Sequence, residues 1–275
     1  VALPLSLPLS LPLPLSLPLP LPLPLLLALS FQEEMRMPQF SRLITRQLYH
    51  LHQLDMPRGA ETQSRQRDLG DRDASLWPSL DKFLGLVEGA LKSSKLEALP
   101  ADISLARVRA AIAELRSSVE AAGAHVTFTH GDAQCLNMLF EEPAAEEEDG
   151  VLTLIDFEYA AHNYRAFDLA NHLTEWMGYG PIDWAQLPGQ RAQREFISLY
   201  VAASGHETDA HAVRALEASL YTELQVLAPA PHLFWGLWAL VQLSLSDIDF
   251  DWETYAHERL RYACKLLLHD HVEEL

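Results

Sequence analysis

The stretch "FTHGDAQCLNMLF", residues 128–140, places a His, an Asp and an Asn on one short polar segment between apolar residues. The residues on either side, "HVTF" at 125–128 and "NMLF" at 137–140, are typical of strands, whereas "GDAQ" is typical of a turn. The pattern predicts a loop between two short strands. Charged and amide side chains in such a setting are either buried and paired or available for chemistry.

Most of the remaining chain has the apolar spacing of helices, interrupted by Gly and Pro residues. Helices are predicted for residues 40–56, 77–95, 101–123, 166–178, 189–204, 207–228, 231–246 and 252–270. Residues 58–76 are polar and charged, which predicts a loop or linker. Helices therefore dominate the predicted fold.

A hairpin of two strands is predicted directly after the loop. The apolar runs "NMLF" and "VLTLIDF" are joined by "EEPAAEEEDG", residues 141–150, which we interpret as a solvated tip and not as a metal site. The predicted fold class is α+β: a helix-rich domain with a small β ribbon that carries the polar loop.

Composition excludes some classes of partner. The net charge of −18 and the pI of about 5.0 argue against a nucleic-acid partner, since such binding depends on Lys and Arg side chains at phosphates. The same charge is compatible with a cationic substrate, although most of it is expected on solvated surface. Two cysteines, Cys135 and Cys264, form no disulfide framework, which favours a reducing compartment.

The first 32 residues form a segment of their own. Every residue from Leu3 to Leu27 is Leu, Pro or Ser. The segment has no basic start, and its prolines exclude both a signal peptide and a membrane span. All three residue types can be written with pyrimidine-only codons, so we interpret residues 1–32 as an intron's pyrimidine tract read as protein, or else as a disordered extension. The folded domain is expected to occupy residues 33–275.

The polar residues of the loop have the spacing of a phosphotransferase. His130, Asp132 and Asn137 lie on the loop, and Asp156 ends the strand that follows. One Asp could accept a hydroxyl proton while the Asn and the second Asp hold Mg²⁺ at nucleotide phosphates. The alternatives are that Asp132 caps a turn, that Asn137 satisfies loop backbone, or that His130, Asp132 and Asp156 form a phosphoesterase metal site.

The segments "HGDAQCLNMLF", "LIDFEYAAHNYRAFDLANHLTEW" and "PHLFWGLWALVQLSLSDIDFDWETYAHERL" resemble the choline/ethanolamine kinase family, a branch of the protein-kinase-like superfamily. The resemblance implies that Asp132 is the catalytic base, that Asn137 and Asp156 bind Mg²⁺, and that Gln134 and Asp156 contact the nucleotide. It also implies ATP as the donor and phosphocholine or phosphoethanolamine as the product of a first step in phospholipid synthesis. The lack of a credible targeting segment and the low cysteine count lead us to expect a cytoplasmic protein without stable membrane insertion. Homodimerisation stays open.

A quaternary ammonium ion is bound by aromatic faces and a nearby carboxylate. Trp235 and Trp238 are three residues apart and so share a helix face. Further positions match the family's substrate pocket: Tyr159, Glu175, Trp176, Phe250 and Tyr255. The alternative for each aromatic residue is a place in the core.

Several polar residues near the site are expected to be structural. His130, Asp168 and Asn171 are assigned to hydrogen bonds within the loop and the following helix, and Glu158 is left open between a metal contact and solvent. Glu175 needs a partner on its apolar helix, either Arg165 or the substrate ammonium.

The choice of amino alcohol rests on short segments. "TEWM" resembles the choline branch and "DIDFDW" the ethanolamine branch, and choline is preferred although Gly178 and Gly180 flank the single Tyr179.

No Gly-rich phosphate loop or nucleotide-anchoring Lys precedes Phe40, so we expect a C-terminal lobe without an N-terminal lobe, and we expect these 275 residues to be inactive. The alternative is a non-catalytic relative that binds an amino alcohol or a partner kinase subunit.

Overall fold

The computed structural model describes residues 27–28, 32–56, 74–100, 102–143, 150–178, 180–205 and 209–269. Most of the Leu/Pro/Ser segment, most of the predicted 58–76 loop, the centre of the acidic tip and Tyr179 lie outside the described residues.

Nine helices and five short strands make up the described part of the chain. The helices are α1 (Gln32–Met35), α2 (Pro38–His52), α3 (Leu76–Lys92), α4 (Leu105–Ala122), α5 (Arg165–Thr174), α6 (Gln190–Ala202), α7 (Ala210–Leu227), α8 (Pro229–Leu245) and α9 (Trp252–Leu268). The strands are β1 (Leu27–Ala28), β2 (Val126–Thr129), β3 (Met138–Glu141), β4 (Val151–Leu154) and β5 (Ala161–Tyr164). The helix-rich α+β class is confirmed.

The predicted helices are all present, with ends that differ by a few residues. α5 ends at Thr174 and continues as a 3₁₀ turn to Met177, where a single helix to residue 178 was predicted. α8 begins two residues earlier than predicted because Pro229 occupies its first turn, where a missing N–H group costs nothing. α4 stops at Gly123 as predicted, with a φ of 61° there, but it begins at Leu105 and not at residue 101, because Ser104 caps it by accepting from the Arg107 N–H at 3.2 Å.

The strands form two small sheets. β3 and β4 are the predicted antiparallel hairpin, with Met138 opposite Leu154, and β1 adds to the other edge of β3. β2 instead pairs with β5, a strand that the sequence analysis missed. The polar loop therefore connects one sheet to the other. β1 falls within residues 1–32, and the boundary drawn near residue 32 stays a prediction.

Two clusters of buried apolar side chains support these sheets. The larger joins α3, α4, α8 and α9, and α8 is apolar around its whole circumference, as expected for a helix surrounded by others. At Gly236 the two helices α8 and α9 approach so closely that a Cβ would lie 2.7 Å from Leu260. The smaller cluster joins α2, α5, α6 and α7 to the β3–β4 hairpin.

Among the described residues, one helical stretch, Ala210–Leu245 (α7 together with α8), is long and apolar enough to span a membrane, and 78% of its most apolar window is buried inside the protein. Burial in the larger core cluster explains its apolar composition.

Candidate active site

The loop between β2 and β3 is held by the buried carboxylate of Asp168 on α5. Its Oδ1 accepts from the Gly131 N–H at 2.7 Å, and its Oδ2 accepts from the His130 N–H at 2.6 Å and from His52 Nε2 at 3.2 Å. Burial alone would raise the pKa of Asp168, but the hydrogen bond and charge of His52 and the two backbone N–H groups lower it below its ordinary value. The predicted structural role of Asp168 is therefore supported by three hydrogen bonds.

His52 is a part of this support that the sequence analysis missed. It lies at the C-terminal end of α2, and its Nδ1 accepts from the Tyr200 hydroxyl of α6 at 2.7 Å. The chain of hydrogen bonds from Tyr200 through His52 to Asp168 fixes two helices relative to the loop. The only signal in the sequence was a His on the apolar face of a helix, which is more often a core residue.

His130 and Gly131 give the loop its shape. The His130 ring is fully buried: its Nε2–H donates to the Ile155 carbonyl at 2.9 Å, and its Nδ1 accepts from the Asp132 N–H at 3.3 Å. Gly131 has a φ of 82°, and a Cβ there would lie 2.6 Å from the Tyr159 carbonyl oxygen. Only glycine fits this position without displacing the backbone.

Asp132 and Asn137 face each other across the loop. The Asn137 Nδ2 donates to the Asp132 carbonyl and to its Oδ2, both at 2.9 Å. Burial, together with the negative charges of Glu175, Asp156 and Glu158, raises the pKa of Asp132 to about 8, and the Asn137 bond opposes this rise. A carboxylate whose pKa lies near neutral pH is suited to accept a proton from a hydroxyl group.

Asp156 lies just past β4 in a left-handed conformation, with a φ of 63°, and its side chain is exposed. The Ile155 N–H before it donates to the Asn137 carbonyl at 3.0 Å, which fixes this turn against the catalytic loop. Glu158 is also exposed; partial burial and the Asp156 charge raise its pKa.

These oxygen donors fit Mg²⁺. Both hydrogen bonds of the Asn137 amide are made by Nδ2, so Oδ1 is the atom that a cation would contact. Mg²⁺ is typically held by one or two carboxylates together with waters and phosphate oxygens, so a full protein cage is not needed. No group of three or more His, Cys, Asp or Glu side chains suited to a metal ion occurs within the described ranges. For the alternative phosphoesterase metal site, both ring nitrogens of His130 are already engaged, by the Ile155 carbonyl and the Asp132 N–H.

Gln134 caps the 3₁₀ turn Cys135–Asn137, because its Oε1 accepts from the Leu136 N–H at 3.2 Å. This bond gives Gln134 a structural role. Its contact with a nucleotide stays a prediction.

Six aromatic rings form a connected series next to the loop, which we call the aromatic cluster. Neighbouring ring centroids are 5.3 Å apart for Tyr159–Trp235, 5.6 Å for Trp235–Trp238, 5.3 Å for Trp238–Trp252, 4.4 Å for Trp252–Phe250 and 5.7 Å for Phe250–Tyr255. Five of these residues were predicted from the sequence, and Trp252 was not. The helical spacing of Trp252 and Tyr255 was the available signal.

The aromatic cluster is anchored to α5. Trp235 Nε1 donates to Asn171 Oδ1 at 2.7 Å, so Asn171 bonds to α8, whereas a bond within the loop and the following helix was predicted for it. Trp176 does not belong to the cluster. It packs in the smaller core cluster and donates its Nε1–H to His172 Nε2 at 3.3 Å, so the structure gives no support to its predicted contact with substrate.

Glu175 and Arg165 do not pair with each other, contrary to one of the two partners suggested for Glu175. The Glu175 Oε1 accepts from Arg259 Nη2 at 3.5 Å, whereas Arg165 binds Glu223 through two hydrogen bonds of 2.7 and 3.2 Å. Burial raises the pKa of Glu175, and Arg259 opposes that rise. Arg259 lies two helical turns after Trp252 on α9. The sequence analysis did not identify it as the partner of Glu175.

Comparison with known proteins assigns the chain to a family. The model of the choline/ethanolamine kinase family matches residues 28–264. The chain belongs to the choline/ethanolamine kinase family. Among curated members, ethanolamine kinase 2 of Rattus norvegicus is 29% identical over 229 residues, covering 82% of this chain and 52% of that protein. The choline/ethanolamine kinase of Homo sapiens is 30% identical over 241 residues, covering 84% of this chain and 57% of that protein.

A solved structure of an ethanolamine kinase from Plasmodium vivax superposes with a TM-score of 0.69 at 26% identity, covering 85% of this chain and 61% of that one. This family member therefore has the protein-kinase-like fold that the resemblance implied. It spans about half the length of the curated relatives that it matches. The predicted absence of an N-terminal lobe stays a prediction.

Proposed function

We propose that this family member transfers the γ-phosphoryl group of ATP to the hydroxyl group of choline or ethanolamine. One observation carries the proposal: the buried Asp132 carboxylate, held by Asn137 at 2.9 Å, lies close enough to Glu175, Asp156 and Glu158 for the charge of each to raise its pKa. A base in that position would contact an acceptor held by the aromatic cluster while the phosphates lie against Asp156.

Each residue then has a definite part in the reaction. Asp132 accepts the proton of the acceptor hydroxyl, whose oxygen attacks the γ-phosphorus as the bond to the β-phosphate oxygen breaks. Asn137 holds the Asp132 carboxylate in place through its 2.9 Å hydrogen bond. Asn137 Oδ1 and Asp156 would hold Mg²⁺, which when bound neutralises the phosphate charge.

The acceptor site is assigned to the aromatic cluster and Glu175. Each aromatic face that meets a cation contributes about 0.5–2 kcal/mol. Tyr159 and Trp235 meet edge to face, at an interplanar angle of 73°. Methyl groups of choline suit such faces better than an unmethylated ammonium, so choline is the preferred acceptor and ethanolamine the second.

The setting of the reaction is also part of the proposal. With ATP and an amino alcohol as small-molecule partners, the enzyme would act in the cytoplasm at the start of phosphatidylcholine or phosphatidylethanolamine synthesis. The chain matches about half of each relative, so turnover by these 275 residues is a separate question from acceptor binding.

The Asp132→Asn variant tests the proposal. Loss of the base should reduce phosphoryl transfer to choline by about 10²–10⁴-fold, since general base catalysis contributes that much. The measurement is choline-dependent formation of phosphocholine with ATP and Mg²⁺, and the exposed carboxylate variant Glu195→Gln is the control and should keep the wild-type rate. Equal rates for Asp132→Asn and wild type would contradict the assignment. Choline binding without any phosphoryl transfer in wild type would favour the non-catalytic binding role.

A further inference from the structure

Arg259 is an unusual arginine because it is fully buried and poorly paired. Its Nη2 donates to Glu175 Oε1 at 3.5 Å, and its Cζ lies 4.8 Å from the centroid of the Tyr255 ring. Its Nε and Nη1 have no hydrogen-bond partner among the described residues. A buried guanidinium normally has most of its five donors satisfied, and unsatisfied donors destabilise the folded protein. This arrangement therefore suggests that Arg259 has a role other than stabilising the fold.

The same molecule contains a partly buried ion pair of the ordinary structural kind. Arg165 binds both carboxylate oxygens of Glu223, and Glu223 Oε2 also accepts the His125 N–H at 3.2 Å. That pair joins α5 to α7 with both partners engaged at two points. Arg259 contacts Glu175 through one long bond, and Glu175 Oε2 accepts no bond from the described residues.

We propose that Arg259 is a positioning residue of the acceptor site. It holds one oxygen of Glu175 and one face of the Tyr255 ring, so that the second oxygen and the opposite face of that ring are directed at the substrate ammonium. This inference rests on the proposed function. Arg259 itself would not contact the substrate. Its planar guanidinium can contact a carboxylate and a ring at the same time, which a lysine ammonium does less well.

The positioning role predicts a change in choline affinity, on removal of Arg259, that is opposite in direction to the change predicted by charge repulsion alone. A positive charge beside the pocket repels a cationic substrate, so removing it should strengthen choline binding if charge alone mattered. If Arg259 positions Glu175, its removal should weaken binding, because the carboxylate would turn away or take up a proton in its buried site. The two accounts are therefore separated by the direction of a single affinity change.

The experiment measures choline affinity by calorimetry for the full chain and for Arg259→Met and Arg259→Lys, with folding checked by circular dichroism. The neutral analogue 3,3-dimethylbutan-1-ol, which has the shape of choline without its charge, is titrated in parallel. We expect Arg259→Met to weaken choline binding about 30-fold or more and to change the affinity for the neutral analogue much less. Arg259→Lys should restore only part of the loss. If the Met variant does not fold, the Lys variant and its ratio of choline to analogue affinity provide the test.

Two controls separate this role from a general loss of structure. Arg165→Met breaks the partly buried Arg165–Glu223 pair and should lower stability while leaving the choline affinity of the folded protein unchanged. In a Glu175→Gln background, Arg259→Met should have little further effect on choline affinity, because the group that it positions is already altered.

The outcomes are distinct. Unchanged or tighter choline binding by Arg259→Met, or an equal loss for choline and the neutral analogue, would overturn the positioning role while leaving the proposed function in place. Absence of any amino-alcohol binding by the wild-type chain would overturn the proposed function and, with it, this inference.

Discussion

The loop between β2 and β3 and the aromatic cluster lie side by side but differ in how completely their polar groups are satisfied. In the loop, both oxygens of Asp168 accept hydrogen bonds, and both ring nitrogens of His130 are engaged. Around the aromatic cluster, buried nitrogens lack partners among the described residues. They are Asn171 Nδ2, Trp252 Nε1, Arg259 Nε and Arg259 Nη1.

The pKa values of two carboxylates from the same segment show this difference in hydrogen bonding. Asp168 lies on α5, and Glu175 follows seven residues later at its end. The pKa of Asp168 is lowered because surrounding donors more than offset its burial, whereas the pKa of Glu175 is raised because its single Arg259 contact does not. The polar groups of the loop are therefore satisfied by the protein itself, while the surroundings of the aromatic cluster retain polar groups that a ligand or water could satisfy.

The largest expected effect comes from removing the loop's support. Asp168→Ala would leave the His130 and Gly131 N–H groups and His52 buried without an acceptor, which should lower the free energy of unfolding by about 3–5 kcal/mol. Urea denaturation followed by circular dichroism measures the change.

The control for that variant is Glu195→Ala, which removes an exposed carboxylate from the Arg191–Glu195 pair on α6. It should leave the unfolding midpoint nearly unchanged. A loss for Asp168→Ala no larger than that of the control would show that the loop does not depend on this carboxylate.

The next effect is a pH dependence that should appear only with Asp132 present. Its pKa is about 8 in the folded protein and 3.8 for an unperturbed Asp, so between these values the folded state holds a proton that the unfolded state has lost. The free energy of unfolding of wild type should therefore fall, relative to Asp132→Asn, as the pH rises through this range. The slope is at most about 1.4 kcal/mol per pH unit.

Denaturation of both variants at several pH values, in a chelating buffer without Mg²⁺, measures this difference. A gap between the two variants that stays constant from pH 5 to pH 8 would mean that Asp132 is ionised throughout in the folded protein.

The smallest expected effect compares two tryptophans that are similar in burial but differ in location. Trp235 donates to Asn171 within the aromatic cluster, and Trp77 donates to the Tyr164 hydroxyl at 3.0 Å in the core. Trp235→Leu should weaken choline binding by about 0.5–2 kcal/mol, and raise the KM for choline more than that for ATP, because one cation-binding face is lost. Trp77→Leu should cost stability alone. Equal losses of choline affinity for the two variants would argue against a cluster that binds cations.

Much of the fold and part of the site could be predicted from the sequence because they depend on local patterns. Apolar spacing located the helices, and the spacing of Asp132, Asn137 and Asp156 identified residues that the fold does bring together. β5 was missed because "AHNY" is a short segment whose strand pairing with β2 depends on a distant part of the chain. Long-range partners were also missed, since nothing local links His52 to Asp168 or Arg259 to Glu175.

The most direct test of the central claim is the affinity of the wild-type chain for choline compared with 3,3-dimethylbutan-1-ol, measured by calorimetry under identical conditions. If the aromatic cluster and Glu175 form a site for a quaternary ammonium ion, choline should bind at least about tenfold more tightly, since the two ligands differ chiefly in charge. Equal affinities, or no binding of choline, would contradict the assignment of this surface as the acceptor site.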